Sequence, residues 1–503
     1  MPENLAHRPA AMPTPVIPTP VSSVVVGTSG VGASGVARDA ESSGTAGSVA
    51  VVVRATDDSV PVAVLSGPAG SAWTLYVDDA TAGDAENGHR RWRKAGADLA
   101  RRARDLRKPL AIEEVVVHLP IGFSADEATA FAIGVVAGSN QFRLTNRDES
   151  EPVPRVVLVA ADGPSAEFQE AVARGNALGN ATVLARDLAN LPSNLKPPRL
   201  LAEYIRGALS MKPGLTVTVR DEQWLRDHGF GGVLAVGGGS AEPPRLIEMS
   251  WQPNASSAAA DEHIVLVGKG ITFDTGGISV KPALNMHLMK TDMAGSAAVV
   301  GAMAAIADLG LPVRVTALIP SAENMLSDSA YRPGDVVTHY GGITSEVTNT
   351  DAEGRMVLAD ALAYATETLD PTLIVDVATL TGAMKIALGM RTGAIFTDDS
   401  VLAHTIQSSG ASVGEQWWQL PLSSEYADAV KSDIADIRQA PSGPGAITAA
   451  LFLQQFVRNA RWAHLDIAGP ARSEETYDEV NPVASGFSAR TLAVLVETLA
   501  STA

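Results

Sequence analysis

Two stretches of this 503-residue chain carry residue types that can do chemistry. The first is Asn349-Thr350-Asp351-Ala352-Glu353-Gly354-Arg355, with two carboxylates and a guanidinium at alternate positions. In an extended chain, alternate side chains share a face roughly 6.5–7 Å apart. That would set two oxygen ligands side by side, next to a fixed positive fork. Gly354 permits a turn or a close backbone approach. Leu358, Ala361, Leu362 and Ala365 follow at helical spacing, so the pattern predicts an extended segment feeding a helix. Taken alone, these residues fit a surface turn closed by a salt bridge equally well.

The second stretch lies upstream. An apolar strand, Ile264-Val265-Leu266-Val267-Gly268, runs into Lys269-Gly270-Ile271-Thr272-Phe273-Asp274-Thr275-Gly276-Gly277-Ile278-Ser279-Val280-Lys281. Met289-Lys290-Thr291-Asp292 then opens an Ala/Gly-rich helix. In open α/β sheets, sites form at the carboxyl ends of strands. Asp274, Asp292, Asp351 and Glu353 gathered at one site would repel strongly unless positive charge sat among them. Two divalent cations balance four carboxylates almost completely, and oxygen ligands suit Mg, Mn or Zn. Each Asp also has a plainer reading as a helix cap or turn residue, Asp292 above all because a helix follows it. The Lys/Gly-rich loop could instead bind phosphate, but it lacks the G-x-x-x-x-G-K-[ST] spacing. His287, the only histidine among these motifs, reads as a packing or surface residue.

The elements around these stretches alternate. Strands are predicted at 49–53, 115–119, 156–160, 215–219, 264–268, 313–319 and 373–377. Helices are predicted at 88–107, 125–136, 166–189, 199–208, 295–308 and 355–368, with a Gly-rich loop of tight turns at 236–239. Alternation of this kind implies α/β architecture with a mostly parallel sheet. Pro192, Pro197 and Pro198 follow the helix at 166–189 and stop it. The domain boundary is therefore placed near residue 185: a smaller N-terminal α/β domain at 49–184 and a larger domain at 185–503. Residues 1–48 are rich in Pro, Gly, Ser and Ala and read as a flexible tail.

Composition narrows the function classes. Apolar residues make up 46% and charged residues 19%, as in globular domains with a real core. The net charge of −18 disfavours nucleic acid or an anionic membrane as main partner. The one contrary feature is the arginine-rich helix (Arg90, Arg91, Arg93, Arg101, Arg102, Arg104), read as a solvated face or a subunit contact. With no cysteine, disulfides, thiolate metal sites and cysteine nucleophiles are excluded. No apolar run approaches the ~20 residues that span a bilayer. The N-terminus has no basic region followed by an apolar core, so no signal peptide and a cytoplasmic location are expected.

The run Val267 to Gly277 and the heptapeptide Asn349 to Arg355 closely resemble the signatures of the leucyl aminopeptidases, the cytosolic two-metal aminopeptidase family (peptidase family M17). The similarity continues through Ala322-Glu323-Asn324, Pro333-Gly334-Asp335, Ala378-Thr379-Leu380-Thr381-Gly382 and Trp462 to Gly469, and covers roughly residues 183–495. The resemblance implies a homohexamer with a variable N-terminal domain and a catalytic domain built on a mixed central sheet flanked by helices. It implies that Lys269, Asp274, Asp292 and Glu353 hold one divalent metal, and that Asp274, Asp351 (side chain and carbonyl) and Glu353 hold the other, with Mn or Zn, or else Mg or Co, as the ion. Lys269 as a ligand must be neutral, which an adjacent dication can drive.

By the same resemblance Lys281 and Arg355 are the catalytic pair. Arg355 has no proton to accept at neutral pH. In the family it holds a bicarbonate ion that shuttles the proton. The substrate is a peptide with a free N-terminus. Its first side chain is expected among Met289, Thr379, Gly382, Ala468 and Ala471, an apolar lining that favours Leu or Met, with the small Ala471 leaving extra room. Met356 and Thr275 depart from the common family residues without touching a proposed ligand. A DNA-binding architectural or regulatory role is the alternative from another class, and the arginine-rich helix is its only support.

Overall fold

The computed structural model describes residues 165–253 and 262–502 without interruption, and before them residues 24–26, 62–66, 72–76, 88–110, 114–119, 122–144, 155–160 and 163. The strand predicted at 49–53 lies outside the described residues. The N-terminal part contains β1 (Val24–Val26), β2 (Val62–Ser66), β3 (Ala72–Tyr76), α1 (Gly88–Leu110), β4 (Glu114–His118), α2 (Ala125–Ser139), β5 (Arg155–Val159) and α3 (Ala166–Asn190). Its five strands pair in the order β1-β5-β4-β2-β3, parallel from β1 to β4 and antiparallel beyond. The strand β1 corrects the reading of residues 1–48 as wholly tail. Three consecutive β-branched valines suit a strand, and β5 offers them a parallel edge.

Helix starts follow local chemistry. Ser124 caps α2 through a reciprocal box with Glu127, and Ser165 caps α3 by accepting from Phe168 N. The boundary placed near residue 185 falls inside α3, which continues to Asn190. This helix contributes Phe168 and Val172 to the N-terminal apolar core, and Leu178, Ala181 and Leu188 to the main one. The prolines therefore end the helix without creating a linker before it.

The second part contains α4 (Pro198–Leu209), β6 (Leu215–Arg220), α5 (Glu222–Asp227), α6 (Gly231–Gly237), β7 (Arg245–Trp251), β8 (His263–Gly268), β9 (Gly270–Asp274), α7 (Ala294–Leu309), β10 (Arg314–Asn324), β11 (Val336–Thr338), β12 (Thr344–Glu346), α8 (Glu353–Tyr364), β13 (Leu373–Ala378), α9 (Gly382–Leu388), β14 (Thr392–Phe396), α10 (Ser400–Val413), β15 (Gln416–Gln419), β16 (Ile437–Arg438), α11 (Gly445–Gln454), β17 (Trp462–Asp466), β18 (Arg472–Ser473), β19 (Val483–Ala484) and α12 (Ala489–Thr502). The Gly-rich stretch at 236–239 is a tight turn only in its second half, because α6 extends through Gly237.

Eight strands form the large sheet in the order β15-β14-β17-β13-β8-β10-β7-β6, and β9 adds to β10. The centre (β17, β13, β8, β10) is parallel, while β14 joins β17, and β7 and β6 join beyond β10, in antiparallel fashion. The sheet is thus mixed, with five of its eight strand pairings parallel. Both faces of its centre are covered. Along β8, Ile264 and Leu266 belong to one apolar cluster and Val265 and Val267 to the other, as the two-residue period of a strand requires.

Among the described residues one stretch, Met286–Leu309, is long and apolar enough to cross a membrane by length and composition alone, but 83% of its most apolar 18 residues are buried within the protein. It contains the central helix α7, which packs between the sheet and α3 and α12. An apolar surface on every side is what a helix enclosed by other elements needs.

Three of the arginines of α1 are used within the chain. Arg90 pairs with Asp478 at 2.9 Å, and Arg101 donates to the Asp478 carbonyl at 2.7 Å. The buried Arg93 faces Glu479 at 3.5 Å. They bind this helix to the 478–481 loop of the larger part.

Candidate active site

The carboxyl ends of β8, β13 and β17 deliver the site. Lys269 directly follows β8, Thr379 to Thr381 follow β13, and Asp466 ends β17. The residues after β8 are not one loop. Gly270–Asp274 is the short strand β9, paired in parallel with the end of β10, and it carries Asp274 to its place. Asp292 comes from the start of α7, which approaches the sheet closely. A Cβ on Gly268 would stand 2.6 Å from Ser296 Cα. The Ser296 N–H donates to the Lys269 carbonyl at 3.0 Å, while the Lys269 N–H donates to Val377 at 3.0 Å.

The heptapeptide is not extended. Residues 349–352 form a turn, closed by the Ala352 N–H donating to the Asn349 carbonyl at 3.1 Å, and α8 begins at Glu353. The Asn349 side chain accepts from the Asp351 N–H at 2.9 Å, a local bond that competes with extension. Asp351 and Glu353 still converge, since a turn followed by a helix start aims both inward. Ligand atoms of Asp274, Asp351 and Glu353 all lie within 4.8 Å of one another.

Two ammonium groups thread these acids. Lys269 Nζ lies 2.9 Å from Asp292 Oδ2 and 2.9 Å from Glu353 Oε1, and donates to the Thr379 carbonyl at 2.9 Å. Lys281 Nζ lies 2.8 Å from Asp274 Oδ2 and also contacts Asp351 Oδ1. Asp292 is the C-terminal cap of the short 3-10 helix Met286–Thr291 and does not cap α7, which has no side-chain cap; its Oδ1 accepts from Thr379 Oγ1 at 2.7 Å. His287 is exposed, as expected of a surface residue.

Burial and mutual repulsion govern the charges. Burial raises the carboxyl of Asp274, with Glu353 adding to it, to about 6 despite both lysines. Burial likewise raises Glu353 and Asp292, and Lys269 opposes it in each. Burial pulls the Lys269 ammonium down, but Asp292, Glu353 and Asp274 outweigh it and hold the group above the ordinary lysine value. The same contest raises Lys281. Burial lowers Arg355 to about 10, which leaves it a guanidinium at neutral pH.

The donor set fits divalent metal. Two ammonium groups balance only half of four carboxylates. Glu353 is 1% exposed, and its Oε2 is buried without a hydrogen-bond partner among the described residues. A buried carboxylate oxygen with no partner costs about 1–3 kcal/mol or more, and a cation relieves that cost.

Residues to which the sequence reading gave no role hold the acids in place. Asn324 Nδ2 donates to Asp274 Oδ1 at 2.8 Å and to the Thr350 carbonyl at 3.0 Å. Gln439, fully buried, accepts at Oε1 from the Thr348 and Asn349 N–H groups, each at 3.1 Å. Its Nε2 donates to the carbonyls of Asn349 at 2.8 Å and Ala352 at 3.0 Å. Its own carbonyl accepts from Arg355 Nη1 at 2.8 Å. Asp466 accepts from the N–H groups of Leu380, Thr381 and Ala468, so it sets two walls of the cavity at once.

That cavity, about 220 Å³, is bounded by the acids and both lysines, and by Met289, Thr379, Gly382 and Ala468. Ala471 is a correction. It is 2% exposed, belongs to the main apolar core, and is absent from the wall. Its neighbour Arg472 is on the wall instead, as is Lys385. Ala471 ends the turn before β18, and Arg472 opens the strand.

A serine, a histidine and an aspartate also line up elsewhere. Ser345 Oγ lies 2.8 Å from His339 Nε2, and His339 Nδ1 lies 3.0 Å from Asp360 Oδ1. All three are at most 1% exposed, and Asp360 also accepts from the Val233 and Tyr340 N–H groups. Sealed from substrate, the row fastens α8 to its neighbours.

Comparison with known proteins agrees with this geometry. The catalytic-domain profile of the cytosol aminopeptidase family matches residues 183–493. A probable cytosol aminopeptidase of Syntrophotalea carbinolica is 44% identical over 388 residues, 76% of each chain. One from Desulfovibrio desulfuricans is 47% identical over 354 residues, 69% of this chain and 70% of that one. Among solved structures, the bottromycin maturation enzyme BotP in complex with Mn is 39% identical with a TM-score of 0.74, over 88% of this chain and 93% of that one. A tomato leucine aminopeptidase variant is 32% identical with a TM-score of 0.75, over 87% of this chain and 83% of that one. A carboxylate cluster at parallel strand ends, the matched catalytic profile and relatives at this identity lead to one assignment: the chain belongs to the cytosol aminopeptidase family and is a peptidase.

Proposed function

We propose that the protein is a two-metal leucyl-type aminopeptidase that removes an apolar first residue from peptides with a free N-terminus. The observation that carries this reading is the convergence of Asp274, Asp351 and Glu353 within 4.8 Å, with Lys269 bridging Glu353 and Asp292. Lys269, Asp274, Asp292, Asp351 and Glu353 would hold the metals, with Lys269 in its neutral form. When bound, two divalent ions supply Lewis acidity for the carbonyl and an acidified water as nucleophile, a chemistry for which aminopeptidases are a standard example.

The chain's own residues do the rest. Lys281, held as an ammonium, carries a proton donor to the oxygen on which charge develops. Arg355 is anchored through Nη1 to Gln439, and its buried Nε has no partner among the described residues. A fixed guanidinium with a donor to spare suits a small anion such as bicarbonate, which could move the proton that Arg355 itself cannot accept. Met289, Thr379, Gly382 and Ala468 enclose the first side chain, and Asp466 fixes the backbone of that wall. Thr379 has a second duty, since it bonds both Asp292 and Lys269 and so ties the substrate wall to the metal ligands.

Manganese is the first metal to test, because a similar solved enzyme is described in complex with it. A cytoplasmic location accords with the names of the relatives. Assembly as a hexamer follows from the resemblance and is checked by light scattering on the purified chain. The activity test is chromophore release from leucine p-nitroanilide, before and after chelation and then with Mn, Zn, Mg or Co restored. Loss on chelation and recovery with one metal supports the reading. A folded protein that stays inactive with every metal refutes it.

A further inference from the structure

Arg472 stands on the cavity wall with Met289 and Ala468. Sequence reading had expected a small apolar surface here, yet the structure supplies a guanidinium. Its Nη1 is buried and has no hydrogen-bond partner among the described residues. Three other cations of the cavity are committed: Lys269 to Asp292 and Glu353, Lys281 to Asp274 and Asp351, and Arg355 Nη1 to the Gln439 carbonyl. Lys385, also on the wall, is exposed to solvent, whereas Arg472 is only partly so. Other buried arginines also keep a nitrogen without a hydrogen-bond partner, Arg93 and Arg490 among them, but these two face carboxylates. Arg186 donates to the carbonyls of Ser485, Ala137 and Glu479, and Arg490 faces Glu415 and Glu479.

A guanidinium stays charged at neutral pH and is weakly hydrated. It presents a planar fork that matches a carboxylate. Burying one of its donors unpaired costs free energy that an incoming anion recovers. Asp292 is the first carboxylate to act on Arg472 electrostatically, with Glu474 after it. Asp292, however, is engaged by Lys269 and Thr379. Glu474 is exposed and forms no ion pair with Arg472 among the described residues, so an acid on the ligand can complete the guanidinium from the cavity side.

We propose that the first-residue pocket also accepts acidic side chains, so that peptides beginning with Glu or Asp are substrates whose side-chain carboxylate pairs with Arg472. The inference rests on the aminopeptidase reading of the site, and it assigns to Arg472 the choice of charge in that pocket. The apolar part of the same wall, Met289 and Ala468, packs against the methylenes of a Glu side chain as it would against Leu. A C-terminal carboxylate of a short peptide has the same chemistry, but it lies at the far end of the substrate from the residue that Met289 and Ala468 enclose.

The test uses the metal-loaded full chain and the p-nitroanilides of Leu, Glu and Gln, none of which has a C-terminal carboxylate. Glu and Gln differ in charge and hardly in shape. In the unaltered protein, Glu p-nitroanilide is cleaved. In Arg472→Ala, the ratio of kcat/KM for Glu to that for Gln falls by about tenfold or more, as when one partner of a desolvated charge pair is lost. Arg472→Lys recovers part of the ratio. Because both rates come from one preparation, the ratio does not depend on how much of a variant folds. Cleavage of Leu with no cleavage of Glu, or a ratio unmoved in Arg472→Ala, overturns the inference and leaves the aminopeptidase reading standing. An effect confined to free dipeptides, absent from the p-nitroanilides, overturns it as well and assigns Arg472 to the C-terminal carboxylate. Failure to cleave any of the three substrates, with every divalent metal and in a folded protein, removes both.

Discussion

Lys269 reaches its carboxylates because Gly354 has no side chain. A Cβ on Gly354 would stand 2.5 Å from Lys269 Cε and 2.7 Å from Nζ. The Gly354 backbone is fixed in the first turn of α8, so the Lys269 side chain must give way and leave the three oxygens that hold its Nζ. Gly354→Ala should therefore displace Lys269 while leaving every carboxylate in the chain. Metal affinity is expected to fall about 10–100-fold, the range found when support around a ligand is lost. Titration calorimetry with Mn reads this directly, and an unchanged affinity would show that Lys269 is not needed for metal.

Glu353 and Lys281 should separate binding from chemistry. Glu353→Ala removes a buried carboxylate that faces Lys269 and sits within the three-acid cluster. It should lose metal and activity together. Lys281→Ala removes a donor that is not a proposed ligand. Its metal content should persist while kcat falls about 10²–10³-fold, as for other donors aimed at developing charge. Metal analysis beside steady-state kinetics decides, and a Lys281→Ala protein with near-normal kcat would end its catalytic role.

What could be read from the sequence was the chemistry that is local in the chain. Asp351, Glu353 and Arg355 fall within five residues, and Lys269 and Asp274 follow one apolar strand, so type and spacing sufficed for them. The backbone at 349–352 was misjudged because Asn349 closes a turn on Asp351, while the two-residue period assumed extension. Gln439 was invisible. It meets the turn from 87 to 91 residues away and has no partner nearby in sequence to mark it. Arg472 was missed for a different reason. The pocket position was assigned to Ala471, which the turn before β18 places in the core, while the next residue reaches the cavity. The arginines of α1 looked like a charged face because their partners lie nearly 390 residues downstream.

Glu479 should matter for stability across that junction. It is 3% exposed and lies 2.8 Å from Arg490 Nη1 and 3.5 Å from Arg93 Nε. Burial works against its charge, but Arg490 and then Arg93 overcome it and lower the carboxyl to about 2. A depressed folded-state value means stability that is present above the ordinary Glu range, near pH 4.5, and lost as pH falls toward 2. Glu479→Gln leaves two buried guanidiniums short of a counter-charge. It should cost about 3–5 kcal/mol at neutral pH, and the difference from the unaltered protein should narrow as pH drops below 4.5. Urea unfolding at pH 7 and pH 4 measures both. A variant as stable as the original at pH 7 would show that the pair contributes nothing net.

Gln439 is the residue whose loss should loosen the site without removing a ligand. Its amide oxygen takes two N–H groups of the turn, its amide nitrogen gives to two carbonyls, and its backbone carbonyl holds Arg355. Gln439→Glu keeps the shape and the accepting oxygen but turns the donor into a second acceptor. The carbonyls of Asn349 and Ala352 then face a negative oxygen instead of an N–H. Each buried group left unpaired costs about 1–3 kcal/mol. The Arg355 anchor is backbone and survives the exchange. The expected variant is folded, with a lower Tm and with metal affinity reduced about tenfold or more because Asp351 loses its fixed position. Saturating metal should restore much of kcat, since neither Lys281 nor Arg355 has changed. If Gln439→Glu binds metal as tightly as the unaltered protein, the turn is held by its ligands rather than by the clamp. If it binds metal weakly and saturating metal restores turnover, the clamp sets the affinity of the site and leaves its chemistry intact.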